Sequence, residues 1–283
     1  MTVLELKSYA KVNIGLRIMG RRADGYHDLD TYFHRIELHD NIRLSFELRD
    51  ETSVSITGNE GYMPSTATDL MEKAARLFST MTGIRFHAGI SITKRIPVQA
   101  GLGGGSSNAS TVLTALDSIC GGVLSRDDLM DASLALGSDV PFFTSGFAAA
   151  HGQGRGEVLE EIEAVDLPLV IVQRRGDVVS TREAFRMADE ERRDHLPLPP
   201  WTTDAARWRN LYTNDFDPIQ PILKDRVYLE CASTALFHST SGSGSSQLLV
   251  ASGTADAARL TAMLEASSGH LDVIGTSFSK FIH

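Results

Sequence analysis

Four glycines in five positions, Gly101, Gly103, Gly104 and Gly105, stand directly before Ser106, Ser107 and a helix-forming run. A tight turn needs one or two glycines, and each further one costs backbone entropy on folding. What such a run supplies is a set of backbone N–H groups that can point into one concavity with no Cβ in the way. The helix that follows adds its own unpaired N–H groups and the positive end of its dipole. Together they make a cradle for a phosphate chain, with two hydroxyls at its end. The pattern is neither Gly-x-x-x-x-Gly-Lys-Ser/Thr, since no lysine precedes Ser106, nor Gly-x-Gly-x-x-Gly, since the sixth position from Gly101 is Ser106. A dehydrogenase is therefore disfavoured.

Other residues could join such a cradle. Lys11 and Asn13 are two apart in a strand pattern, so both side chains leave the same face. Taken alone, a strand lysine is ordinarily a solvated one. Asp139 follows a predicted helix end and precedes Val140-Pro141, a place where a turn or capping aspartate is common. Tyr26-His27 reads as an incidental aromatic pair on a loop. A second glycine-serine stretch, residues 239–246, precedes a predicted strand at 247–250.

The elements that must position these residues are legible in outline. Val12, Ile14, Leu16 and Ile18 alternate with polar or small neighbours, as do Ile42, Leu44, Phe46 and Leu48, so two strands with one face on a core and one toward water are expected. Residues 20–27 between them, with two glycines and a charge cluster, read as a loop. Asp69 with Glu72, Ser125, and Ser180 with Glu183 are candidate helix caps. Helices are expected from Asp69 to Met81, after the glycine run to Gly121-Gly122, from Ser125 to Gly137, from Ser180 to about 193, and over 256–266. Strands are expected at 89–93 and 167–172. The proline-rich stretch 194–203 reads as a surface excursion.

The chain has 283 residues and a formal charge of −9, from 27 Lys and Arg against 36 Asp and Glu. With 42% hydrophobic and 22% charged residues it has ordinary globular composition, and its length suggests about two domains. The acidic balance argues against sequence-blind binding to nucleic acid or to an anionic membrane. Cys120 and Cys231 lie far apart with no Cys-x-x-Cys, which excludes a zinc ribbon or disulfide framework in practice; it leaves one disulfide open and favours two unrelated thiols in a reducing cytosol. The first twenty residues carry charges inside their apolar stretch, unlike a signal peptide or a membrane helix, so cytoplasmic residence is the default expectation.

The glycine run, with Pro97 ahead of it, resembles the second motif of the GHMP kinase superfamily. Ala10-Lys11-Val12-Asn13-Ile14 resembles the first motif and Ser241-Gly242-Ser243-Gly244-Ser245 the third. Residues 20–29, the three glycines before the serine pair, residues 136–143, Val179-Ser180-Thr181 and Asn214-Asp215 are similar to one branch of that superfamily, the kinases of 4-diphosphocytidyl-2-C-methyl-D-erythritol. The resemblance implies an α+β chain with the two-domain GHMP kinase fold: an S5-like ATP-binding and catalytic domain (1–155), a ferredoxin-like α/β-plait domain (156–283), and a cleft between them. It implies transfer of the ATP γ-phosphate to the 2-hydroxyl of the methylerythritol group, in the non-mevalonate route to isoprenoid precursors.

Residue by residue, the resemblance implies that Pro97, Val98, Gln99, Ala100, Gly101, Leu102, Gly103, Gly104, Gly105, Ser106 and Ser107 bind ATP. Lys11 becomes the catalytic lysine and Asp139 the general base, with Lys11 keeping Asp139 ionised. Asn13 positions the acceptor or Asp139. Tyr26 stacks on cytosine, His27 bonds to the base edge, and Phe185 lies opposite the same base, although Phe185 also fits the apolar face of its own helix. The loop at 242–244 is expected close to the first glycine loop, supporting it and the substrate diphosphate, and Asn214-Asp215 is expected to be structural. Magnesium is expected with ATP, with Ser107 a candidate contact and no other protein metal site. The partner is a small molecule, with neither nucleic acid nor membrane, and the chain is expected to be a monomer or weak homodimer. Where the branch often carries a proline after the strand at 167–172, this chain has residues 173–177 instead. The rivals are a homoserine- or mevalonate-type kinase, an RNA-binding module built on the S5-like fold, and a silent nucleotide sensor.

Overall fold

The computed structural model describes residues 1–58, 69–176, 180–190, 196–267 and 269–279. Val179 of the Val-Ser-Thr motif, Asp177, and residues 194 and 195 of the proline-rich stretch lie outside them. In chain order the elements are β1 (Thr2–Arg21), β2 (His27–Leu48), β3 (Ser53–Thr57), α1 (Leu70–Thr82), β4 (Phe86–Thr93), α2 (Gly104–Ile119), α3 (Arg126–Leu136) and α4 (Val140–Ser145). Then come β5 (Ala149–Gly154), β6 (Val158–Glu161), β7 (Pro168–Arg174), α5 (Thr181–Glu190), α6 (Trp208–Leu211), α7 (Arg226–Thr234), β8 (Phe237–Thr240), β9 (Gln247–Val250), α8 (Thr254–Ser267) and β10 (Leu271–Ser277). They form two compact units that interleave along the chain: residues 1–10, 38–98 and 103–146, and residues 11–37, 99–102 and 147–283.

In the first unit, β2 from Asn41 to Leu48 pairs antiparallel with β4, and β3 pairs parallel with β4. Phe86, Ala88, Ile90 and Ile92 of β4 turn to one face and meet Ile42, Leu44 and Phe46 of β2, the period of two that a pleated strand imposes. Helices α1, α2 and α3 cover that face with Met71, Phe78, Val112, Leu113, Leu116 and Ala132. Asp69 caps α1 by accepting from the Met71 N–H, while Glu72 pairs with Arg76 one turn on. Ser125 and Asp128 close a reciprocal capping box at the start of α3.

In the second unit, β10, β7, β9 and β8 lie in that order in an all-antiparallel sheet. Strand order four-one-three-two with helices after the first and third strands is the split β-α-β plait. Tyr228, Cys231, Leu260 and Leu264 of α7 and α8 pack on Val170, Val172 and Leu249 of the sheet. The same unit holds β5, which pairs with residues 29–34 of β2 and with β6.

One expectation changes and one is refined. The alternation in β1 predicts one face toward water, yet every residue from Ser8 to Leu16 is buried. Lys11 (3% exposed) and Asn13 (1%) are buried with the apolar residues between them. Alternation reports the chemistry of a strand's faces but not whether both are covered. The described part of the proline-rich stretch does run at the surface, with residues 196, 197, 200 and 203 exposed, but it is anchored rather than loose. Leu198 is buried, Tyr32 donates to the Pro199 carbonyl, and Tyr212 donates to that of Pro200. Trp201 stacks on Tyr212 and contacts Tyr32 and Trp208. Prolines here shape a strap whose carbonyls are taken by tyrosines and whose aromatic ring joins a cluster.

Candidate active site

Lys11 is the centre from which the site is built. Its backbone N–H donates to the Leu102 carbonyl (3.0 Å), which ties the middle of the first glycine loop to β1. Its ammonium donates to Asn13 Oδ1 at 2.7 Å and lies 5.4 Å from the centre of the Phe33 ring. Taking a cation out of water is unfavourable unless polar partners replace the lost hydration, so a lysine held this deep in a strand has a purpose beyond solubility.

The third motif closes on the first glycine loop, as expected. Ser241 Oγ donates to the Gly101 carbonyl (2.9 Å), and the Ser246 N–H to that of Ala100 (3.3 Å). A Cβ added to Gly101, whose φ is +74°, would run into the Ser241 carbonyl. A Cβ on Gly242 would lie 3.4 Å from Lys11 Nζ and 3.5 Å from Asn13 Oδ1. Glycine is thus required at 101 by close approach as well as by backbone angle, and is favoured at 242 by its φ of +57°. Asn214 fixes this second loop by donating to the Thr240 and Gly242 carbonyls, and Gln220 donates to that of Ser243. Asp217, whose carboxyl is pushed up by burial and eased back by bonds from Thr240 and Asn214, anchors the strand before it. Asp215 accepts from the Ile18 N–H and pairs with Arg17, so the Asn-Asp pair is structural in its contacts.

Within the first unit, Gly103 is the N-cap of α2 at φ +69°, and no side chain caps the helix there. The first N–H groups of α2 are therefore left for a ligand or water. Ser107 accepts a bond from Ser8 (2.7 Å). Ahead of the loop, the fully buried Asp40 accepts from Lys94 Nζ and from the N–H groups of Arg95 and Ile96. A Cβ on Gly104 would lie 3.0 Å from Ile96 and 3.3 Å from Lys94 Nζ, which puts a second ammonium beside the start of α2. Sequence reasoning misses Asp40 and Lys94, because a lone acid in a strand and a lysine before a proline carry no signal by themselves. Gln99, in the loop itself, holds φ +55° without being glycine, a strained conformation of the kind stored at ligand-binding turns. Asp139 precedes α4, but its carboxylate makes no capping bond to that helix, so the capping reading does not apply.

Of the expected base-reading residues, two meet. The His27 ring stacks on Phe185 at 4.5 Å with planes 13° apart, and its Nε2 bonds to Asp189 at 2.8 Å. His27 is buried, against the loop expectation, because β2 begins there and β1 runs on to Arg21. Phe185 also packs with Leu16, Ile18 and Phe216, so its core role is real alongside any other. Tyr26 stays half exposed at the turn, with the Arg155 guanidinium 4.5 Å over its ring. Among the described residues no group of three or more His, Cys, Asp or Glu could hold a metal ion, and no helix is long and apolar enough to cross a membrane.

A glycine-cradled helix start, a buried strand lysine and a second glycine-serine loop are the parts of a small-molecule kinase of the GHMP class, and residues 69–147 match the family described as GHMP kinases N terminal domain. The 4-diphosphocytidyl-2-C-methyl-D-erythritol kinase of Geobacter metallireducens is 37% identical over 255 residues, 86% of this chain and 88% of that one. A crystal structure of 4-(cytidine 5'-diphospho)-2C-methyl-D-erythritol kinase aligns with TM-score 0.76 and 30% identity over 98% of this chain and 100% of that one. A homoserine kinase from Cytophaga hutchinsonii, at 17% identity and TM-score 0.65 over 99% of this chain and 96% of that one, shares the fold alone. The chain belongs to the 4-diphosphocytidyl-2-C-methyl-D-erythritol kinase family.

Proposed function

We propose that Lys11 and Asp139 are the catalytic pair of an ATP-dependent kinase that phosphorylates the 2-hydroxyl of 4-diphosphocytidyl-2-C-methyl-D-erythritol. The substrate and reaction follow from the family, and the residue roles are our assignment. The observation that carries it is the buried Lys11 ammonium set against Asn13 and Gly242 of the third motif.

In this reading the substrate hydroxyl oxygen attacks the γ-phosphorus, and the bond from that phosphorus to the β–γ bridging oxygen breaks to leave ADP. The hydroxyl proton passes to the Asp139 carboxylate. Lys11 stabilises negative charge on the transferring group, the kind of fixed electrostatic help on which phosphoryl transfer chiefly depends. The residues from Pro97 to Ser107 hold the triphosphate by backbone N–H groups, with the uncapped start of α2 as their anchor. That uncapped start and the close approaches at Gly101 and Gly104 fit a polyphosphate. Magnesium would come with ATP and neutralise phosphate charge; phosphate oxygens, water and the Ser107 hydroxyl are the ligands the donor set allows. Tyr26, His27 and Phe185 take the cytosine, and Asn13 contributes through Lys11. The reading places the enzyme in the cytoplasm and its product in the non-mevalonate isoprenoid route.

The test is a phosphate-transfer assay with ATP across a panel of acceptors. Turnover is expected with 4-diphosphocytidyl-2-C-methyl-D-erythritol and not with homoserine or mevalonate. Better turnover with either of the latter overturns the reading.

A further inference from the structure

We propose that Thr31 is a positioning residue for the phosphoryl transfer, aiming the Lys11 ammonium through Asn13. The proposal rests on the assignment of Lys11 as the catalytic lysine. Thr31 is fully buried on β2, two residues from Phe33 and thus on the same face of the strand.

Three hydrogen bonds run in series, and the chemistry of the groups decides the direction of each. Lys11 Nζ has only donors, so the Asn13 atom 2.7 Å from it is the amide oxygen. The Asn13 nitrogen then faces Thr31 Oγ1 at 2.8 Å and donates to it. The single Thr31 proton is left for the Gly15 carbonyl, 2.7 Å away. The series ends on rigid backbone. Gly15 holds φ +74°, and a Cβ there would come within 3.0 Å of both Leu198 and Tyr212, so the strap at 196–203 closes over it. Every member is at most 3% exposed where a side chain is involved, so water is poorly placed to take over a lost bond.

Removing the Thr31 hydroxyl leaves the Asn13 nitrogen without its acceptor and the Gly15 carbonyl without its donor. The amide is then free to rotate and turn N–H toward the ammonium, which repels it. Threonine is an ordinary strand residue, so nothing in the sequence singles this one out.

The experiment compares Thr31→Val, Thr31→Ser and Lys11→Met in the full chain, with thermal unfolding as a check on folding. Thr31→Val is expected to lower kcat about tenfold or more, the scale of one misplaced buried hydrogen bond in a transition state, with KM for ATP and for the alcohol within about twofold of wild type. Thr31→Ser is expected to bring kcat back to within about threefold, since it keeps the hydroxyl. If Thr31→Val does not fold, Thr31→Ala is read in its place. A wild-type kcat in the hydroxyl-free variant, a KM that rises in step with the loss, or a serine variant as impaired as the valine one overturns the proposal. If Lys11→Met abolishes turnover while Thr31→Val is silent, only the relay is wrong. If Lys11→Met retains turnover, the catalytic assignment itself has failed.

Discussion

Asp139 and His34 show how differently two titratable side chains can serve one chain. Asp139 sits at a helix start without capping it. Asp139→Asn keeps the shape and removes the proton acceptor proposed for the reaction, so turnover is expected to fall by orders of magnitude while ATP affinity, read by calorimetry, stays near wild type. Unchanged turnover would remove Asp139 as the base. His34 serves stability. Its Nδ1–H donates to the Arg35 carbonyl, its Nε2 accepts from the Val165 N–H, and burial pushes its pKa down to about 4. The folded protein therefore holds it neutral, while the unfolded chain binds a proton below its ordinary value of 6.5. Stability is thus complete above that value and is lost as pH falls from about 6.5 to about 4, by up to about 3 kcal/mol. Urea unfolding at pH 7 and pH 5 should show the drop, and His34→Gln, which keeps one donor and one acceptor, should flatten it.

At the scale of elements, the glycine loops and the strap carry the sharpest expectations. Gly101→Ala combines a left-handed φ with a collision at the Ser241 carbonyl. It should raise KM for ATP and lower stability by at least about 1 kcal/mol, measurable by initial rates and thermal unfolding. Trp208 is fully buried, donates to the Thr202 carbonyl and packs on Trp201, Phe237 and Phe278. Trp208→Ala should cost about 3–5 kcal/mol in denaturant unfolding. The glycine loop is legible in the sequence because four glycines together cost more backbone entropy than any plain turn requires. The helix caps at Asp69 and Ser125 are legible because a cap is a local chemical device. Taken alone, Lys11 reads as a solvated strand lysine because a two-residue period cannot report that both faces of β1 are covered; only the resemblance singles out Lys11 and Asn13. That the strap is anchored is not legible, because the anchors are tyrosines at 32 and 212, outside the stretch itself. Thr31, Asp40 and Asp189 are invisible for a related reason: each takes its meaning from a partner that only the fold supplies.

For the whole molecule, the two units have separate apolar cores, and a cysteine reports on each. Cys120 is partly exposed and packs at the edge of the first core, whereas Cys231 is buried within the second. Both are free, and burial pushes both thiols up, which lowers the reactive thiolate fraction at neutral pH. Labelling with a thiol reagent, followed by mass spectrometry, should modify Cys120 first and Cys231 only on the timescale of opening of its core. Simultaneous labelling of the two would contradict this. Their spacing favours two separate thiols without deciding it; the structure shows both free, and which core each belongs to is not readable from sequence.

The bonds that join Lys11 to Leu102, Gly101 to Ser241 and Asn214 to Gly242 draw together stretches that a ribosome makes one after another, with well over a hundred residues between the first glycine run and the loop that braces it. A nascent chain halted before residue 241 would carry its lysine and its first glycine run with no brace for either. Catalytic competence would then be acquired late and all at once, so that a prematurely terminated product neither consumes ATP nor competes for substrate.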